Sequence, residues 1–99
     1  MFVKVYRYRI RKHNFEKWKK INDAARNIYR KYGCGNSQCL ISKEGKLITV
    51  LELDYYNSRR DFLRITGLVD ADLLIKSLFS EFMRVVYRKH ITEEEFETV

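Results

Sequence analysis

The charged side chains with the spacing for a shared site are the arginines at positions 7 and 9 and the acids at 52 and 54. Residues two apart in a strand point to the same face. Arg7 with Arg9, and Glu52 with Asp54, therefore each present two like charges side by side, and Tyr56 continues the second row. Facing rows of this kind have two readings. They close into cross-strand ion pairs, or an arginine left free grips a ligand carboxylate or phosphate through two parallel N–H···O bonds. The expected ligand-binding set is Arg7, Arg9, Glu52, Asp54 and Tyr56.

The remaining reactive side chains suggest less. Cys34 and Cys39 share one Gly-containing stretch and have no second Cys or His pair at zinc spacing, so no metal is expected. A disulfide between them would close a very short loop with a small entropic return. His13 and His90 stand at element ends. Histidine is the usual general base near neutral pH, but such positions read more simply as solvated. Trp18 reads as packing. No Gly-rich phosphate loop, paired-carboxylate motif or nucleophile elbow is present, and no catalytic residue is nominated.

The elements that must position these residues are legible from periodicity. Phe2 to Arg11 alternates as a strand, with Tyr6, Tyr8 and Ile10 expected toward the helices and Val3, Val5, Arg7 and Arg9 on the other face. Asn14 is the expected cap of a helix with Phe15, Trp18, Ile21, Ala25, Ile28, Tyr29 and Tyr32 on one stripe, ending at Gly33 or Gly35. A short strand over Gln38 to Ser42 and a turn at Lys43 to Lys46 lead into a strand over Leu47 to Tyr56. In that strand Leu47, Thr49, Leu51, Leu53 and Tyr55 form the more apolar row, expected against the helices, with Ile48, Val50, Glu52, Asp54 and Tyr56 opposite. Ser58 and Asp61 resemble a capping box for a helix through about Thr66, interrupted by Gly67, after which Asp70 caps a second piece. Its apolar stripe from Leu74 to Val86 is wide for a single sheet contact. The last strand spans Ile91 to Val99, with Val85 to Tyr87 assignable to either it or the helix.

The order β-α-β-β-α-β describes an α+β, ferredoxin-like domain over residues 1–99: a four-stranded antiparallel sheet with its helices on one face. The other face lacks a cover, and a second copy is the natural one. A chain of 99 residues buries only about two thirds of its unfolded surface, so a homodimer is expected. With 45% hydrophobic and 33% charged residues and no proline, the chain contains no linker or disordered tail. The formal charge of +7 favours anionic partners or is a plain basic, solvated surface. No signal-peptide core or apolar run of about 20 residues is present, which predicts a cytoplasmic protein with reduced thiols and no membrane contact. Abundant Lys, Arg, Glu, Ile and Tyr suit a thermophile.

Across nearly its whole length the chain resembles the dimeric α+β barrel proteins, which include antibiotic-biosynthesis-type monooxygenases, NIPSNAP-like proteins and stress-responsive barrel proteins. The resemblance rests on Phe2 to Arg11 as first strand, Phe15 and Trp18 opening the first helix, and Gly33 to Leu40 as the turn into the second strand. Asp54-x-Tyr56 leading to Ser58–Leu63, and Glu95 to Val99 as closing strand, complete it. It implies sheets paired into a dimeric barrel and binding or conversion of a small organic molecule, anionic or aromatic, without a cofactor. The haem-degrading branch uses an Asn on the first strand and a His on the last helix. Here Tyr6 and Arg7 occupy that strand, and no His lies between Asn14 and Lys89. A noncatalytic nucleic-acid-binding or structural protein is the alternative, because Lys4, Tyr6, Tyr8 and Arg9 interleave charge and aromatics. The third strand, carrying Glu52 and Asp54, lacks the pattern of an RNA-recognition module.

Overall fold

A computed structural model describes residues 1–99. Phe2–Arg11 (β1) lies at the centre, pairing antiparallel with Leu47–Tyr56 (β3) on one side and Val86–Glu97 (β4) on the other. Asn36–Glu44 (β2) adds outside β3, so the strand order is β2-β3-β1-β4. Phe15–Lys31 (α1), Arg59–Asp70 (α2) and Ile75–Val85 (α3) complete the α+β, ferredoxin-like arrangement. A 3₁₀ turn at Lys12–Asn14 precedes α1, and Asn14 occupies its cap position without a side-chain hydrogen bond. In α2 the expected cap is formed, with the Asp61 amide donating to Ser58 Oγ at 3.1 Å.

The register decides which side chains share a face. Lys4 pairs with Asp54, Tyr6 with Glu52, Tyr8 with Val50 and Ile10 with Ile48. The even positions of both strands therefore lie together, and they face the helices. Ile48, Val50 and Tyr56 are buried there with Phe2, Tyr8 and Ile10. This reverses the expectation for β3: its more apolar row, Leu47, Thr49, Leu51, Leu53 and Tyr55, faces away from the helices. Apolarity alone does not distinguish the faces, because this sheet carries apolar side chains on both.

The core divides into two clusters, one at each end of the sheet. Tyr8, Ile10, Ile48 and Val50 pack with Trp18, Ile21 and Val85, while Phe2 and Tyr56 pack with Ile28, Phe62, Ile65 and Val69. The stretch of sheet between them carries Lys4, Tyr6, Glu52 and Asp54 instead of aliphatic side chains.

Boundaries differ from the expectation in the helices and in two of the strands. Gly67 does not interrupt α2, which continues to Asp70. The break falls at 71–74, where Asp72 Oδ1 accepts from the Leu74 amide in the turn, and α3 then starts at Ile75 without a side-chain cap from Asp70. A lone glycine weakens a helix by only about 1 kcal/mol, which Ile65 and Val69, packed on either side of it, offset. Among the strands, β4 begins at Val86, directly after α3, while β2 runs longer than expected, from Asn36 to Glu44. Between Tyr8 and Ile10 the β1–β4 register shifts, and Arg88 and Lys89 adopt left-handed φ of 54° and 51°. That bulge lets one strand absorb both the turn out of α3 and the alternation that follows. Gly45, at φ 59°, opens the two-residue loop of the β2–β3 hairpin, where tight hairpin turns favour glycine.

Candidate functional site

Over the polar middle of the sheet lies a cavity of about 770 Å³. Tyr6 and Tyr8 from β1 and Glu52 and Asp54 from β3 form its floor, Arg26 and Tyr29 from α1 one wall, and Phe79 and Phe82 from α3 the other. Helical spacing explains the α1 wall. The stripe that buries Trp18, Ile21 and Ile28 turns the flanking residues Asn22, Arg26 and Tyr29 toward the space between the clusters.

A hydrogen-bond chain holds one end of the floor. Trp18 Nε1 donates to Tyr8 Oη at 2.6 Å, and the Tyr8 hydroxyl donates to Glu52 Oε1. Tyr8 also meets Phe82 edge to face, with ring centroids 4.9 Å apart. Burial pushes Glu52 above the ordinary carboxylate range, and the Tyr8 bond and Arg26 oppose that rise. Asp54 is pushed up to about 7 by burial and by the neighbouring Glu52, with Arg26 acting against it. Asp54 has no hydrogen-bond or ion-pair partner, and Arg26 comes within 4 Å of neither carboxylate. Burial also raises Tyr6, Tyr8 and Tyr29, which remain protonated donors.

At the far side of the floor the buried Lys4 lies 3.5 Å from Glu93 Oε1 and 3.4 Å from Glu95 Oε2, with its ammonium over the Tyr6 and Phe62 rings. The thiols are free. Burial raises Cys34, and burial with Glu52 raises Cys39 to about 11, so neither is a ready nucleophile. No group of His, Cys, Asp and Glu is arranged to hold a metal. His13 and His90 are exposed.

The five residues singled out in the sequence divide between the two faces. Glu52 and Asp54 reach the cavity, while Tyr56 lies beneath it in the core beside Phe2 and Phe62. Arg7 and Arg9 point to the opposite face, where Arg7 borders a shallow groove with Val3, Val5, Leu51, Leu53 and Phe96. The expected arginine–carboxylate pairing does not form, because Arg7 and Arg9 are opposed by Leu51 and Thr49. Sequence reasoning missed Tyr6, Tyr8, Arg26, Tyr29, Phe79 and Phe82 as cavity residues. The signal was present in the stripe from Leu74 to Val86: its excess width is Phe79, 59% exposed at the cavity.

Arg9 also belongs to a second arrangement. The guanidinium carbons of Arg9, Arg11 and Arg88 lie 5.3, 5.1 and 5.2 Å from the Tyr87 ring centre.

Neither a family model nor any curated protein sequence matches the chain. Solved structures do. A NIPSNAP domain protein from Burkholderia xenovorans is 18% identical with a TM-score of 0.80, over 100% of this chain and 95% of that one. A NIPSNAP family protein from Agrobacterium tumefaciens is 17% identical with a TM-score of 0.79, over 99% and 92%. A putative antibiotic biosynthesis monooxygenase from Nitrosomonas europaea is 11% identical with a TM-score of 0.74, over 100% and 99%. At these identities the likeness is one of fold, and the α+β, ferredoxin-like fold of this chain is the one seen in those NIPSNAP and antibiotic-biosynthesis-monooxygenase structures.

Proposed function

We propose that the protein binds a small organic molecule in the cavity between sheet and helices, and that two copies join through their open sheet faces. The observation that carries the reading is Asp54, an unpartnered carboxylate turned into a cavity that splits the core. Burying such a group costs stability that an aliphatic residue would not, and a ligand-facing role accounts for keeping it. The volume suits a compact organic molecule. Where that molecule has an acidic O–H or C–H, Asp54 is the base poised to take the proton, since a base works best with its pKa near the ambient pH. Arg7 and Arg9 do not line this cavity, so the case for an anionic ligand loses the residues on which it rested.

Calorimetric titration with a panel of small aromatic and aliphatic compounds tests the site. Saturable binding to one site per chain is expected, weakened by Ala25→Phe, which puts a ring into the cavity, and unchanged by Arg7→Ala. The opposite pattern would move the site to the open face.

A nucleic-acid reading is favoured by one observation, the three arginines around Tyr87, none paired with a carboxylate within 4 Å. A stacking ring among guanidinium groups suits single-stranded nucleic acid. Binding to unrelated oligonucleotides should then fall linearly with log salt, and should weaken on Tyr87→Ala.

The protein has no helix long and apolar enough to cross a membrane.

A further inference from the structure

The cavity is short of one positive charge. Its half-buried ionisable side chains include two carboxylates, Glu52 and Asp54, and one guanidinium, Arg26, while two cations, Arg30 and Lys76, and two acids, Asp70 and Glu93, are exposed at its margin. Arg26 forms an ion pair with neither acid, and Lys4, the other cation near the floor, is held by Glu93 and Glu95. The surrounding walls are aromatic: Tyr6, Tyr8, Tyr29, Phe79 and Phe82 contribute ring surface around the two acids. Ring faces attract cations through their quadrupole, and desolvated carboxylates attract them more strongly still. An anion placed here would meet two carboxylates at close range, and a neutral molecule would leave Asp54 without a partner.

We propose that the ligand of this cavity is an organic cation, an amine or quaternary ammonium with an apolar body, its charged head between Asp54 and Glu52 and its body against Phe79 and Phe82. This rests on the cavity being the binding site, and it names the chemical class that the site selects. In the empty protein the missing charge is supplied by a proton on Asp54, which burial and Glu52 favour. The groups around Asp54 are Glu52 on its own strand, its cross-strand partner Lys4 and Tyr6 on β1, Arg26 and Tyr29 on α1, and Cys34 ahead of β2; Lys4 is held by Glu93 and Glu95, and Arg26 is the cation that opposes protonation. An entering cation replaces the proton, so binding below neutral pH releases it to solvent.

The test uses three probes of matched chain length: octyltrimethylammonium, octanol and octanoate. Binding is followed by Trp18 fluorescence, which the Trp18–Tyr8–Glu52 hydrogen-bond chain couples to the floor, and by calorimetry. At pH 8 the ammonium should bind about tenfold more tightly than the alcohol, which corresponds to about 1.4 kcal/mol, and the carboxylate most weakly. Asp54→Asn should remove the ammonium's advantage over octanol. Glu52→Gln, which keeps an acceptor for Tyr8, is the second variant and should reduce the advantage in part. Near pH 6, heats measured in buffers of different ionisation enthalpy should report about one proton released per ammonium bound. Equal affinity for all three probes, or tightest binding of octanoate, overturns the cation assignment and leaves the cavity reading standing. No binding of any probe overturns both.

Discussion

The two faces of the sheet contrast in a way that neither composition nor alternation suggests. The helix-covered face is buried at both ends but polar in the middle, where Tyr6, Glu52 and Asp54 line a cavity. The open face carries Val3, Val5, Leu51, Leu53, Tyr55 and Phe96 with no helix over them. Val3 and Val5 are already 7% and 6% exposed, shielded by their neighbours, whereas Phe96 at 51% and Leu40 at 52% remain uncovered. The more apolar row of β3 therefore lies on the face without a helix over it, and the row with the acids lies on the face the helices cover. Burial and apolarity separate here because the covered face surrounds a cavity and the open one is continuous.

That contrast makes the covered face the place where truncation costs stability. Trp18, 4% exposed and bonded to Tyr8, is packed against Phe15 and the sheet. Trp18→Ala should lower unfolding free energy by about 3–5 kcal/mol through lost burial and the cavity left behind. A change in denaturant melts below about 1 kcal/mol would mean that the covered face does not carry the fold.

Asp54 sharpens the comparison by separating function from stability on the same face. Its native pKa of about 7 stands above the ordinary value of 3.8, so the folded protein holds the proton more tightly than the unfolded chain does. The stability this adds is fully present below the unfolded value and is lost as pH rises through about 7. The parent should therefore weaken across that range, while Asp54→Asn should show a flatter profile and at pH 8 exceed the parent by up to about 4 kcal/mol. Chemical denaturation at a series of pH values measures both. Parallel profiles would show that Asp54 is fully solvated and the cavity open to bulk water.

On the open face the cost should fall on assembly. Leu53→Lys places an ammonium in the proposed interface and should weaken self-association about a hundredfold, about 2.8 kcal/mol, with each chain still folded. Sedimentation equilibrium together with far-UV circular dichroism checks this. A parent that is monomeric at micromolar concentration would break the comparison, since the open face would then need no partner.

The order of elements, the α1 stripe, the Ser58 cap and the β2–β3 hairpin follow from local rules of periodicity and turn chemistry, and the sequence by itself determined them. Local rules end where the partner strand or the surrounding shape decides. Alternation places Glu52 and Asp54 on one face of β3 but cannot say which, since a one-residue shift in register exchanges the faces. The pairing of Tyr6 with Glu52 settles it, and with it the separation of Arg7 and Arg9 from the acids. Arg26 and Phe79 become cavity residues only because the helices converge over a stretch of sheet that lacks aliphatic side chains. The position of α2's end was likewise tertiary, since Ile65 and Val69, packed in the core, hold Gly67 in a helix that propensity alone would end. Sequence determined each element because its residues interact with near neighbours; tertiary structure decided the site because its charges, rings and empty volume come from separate elements brought together by folding.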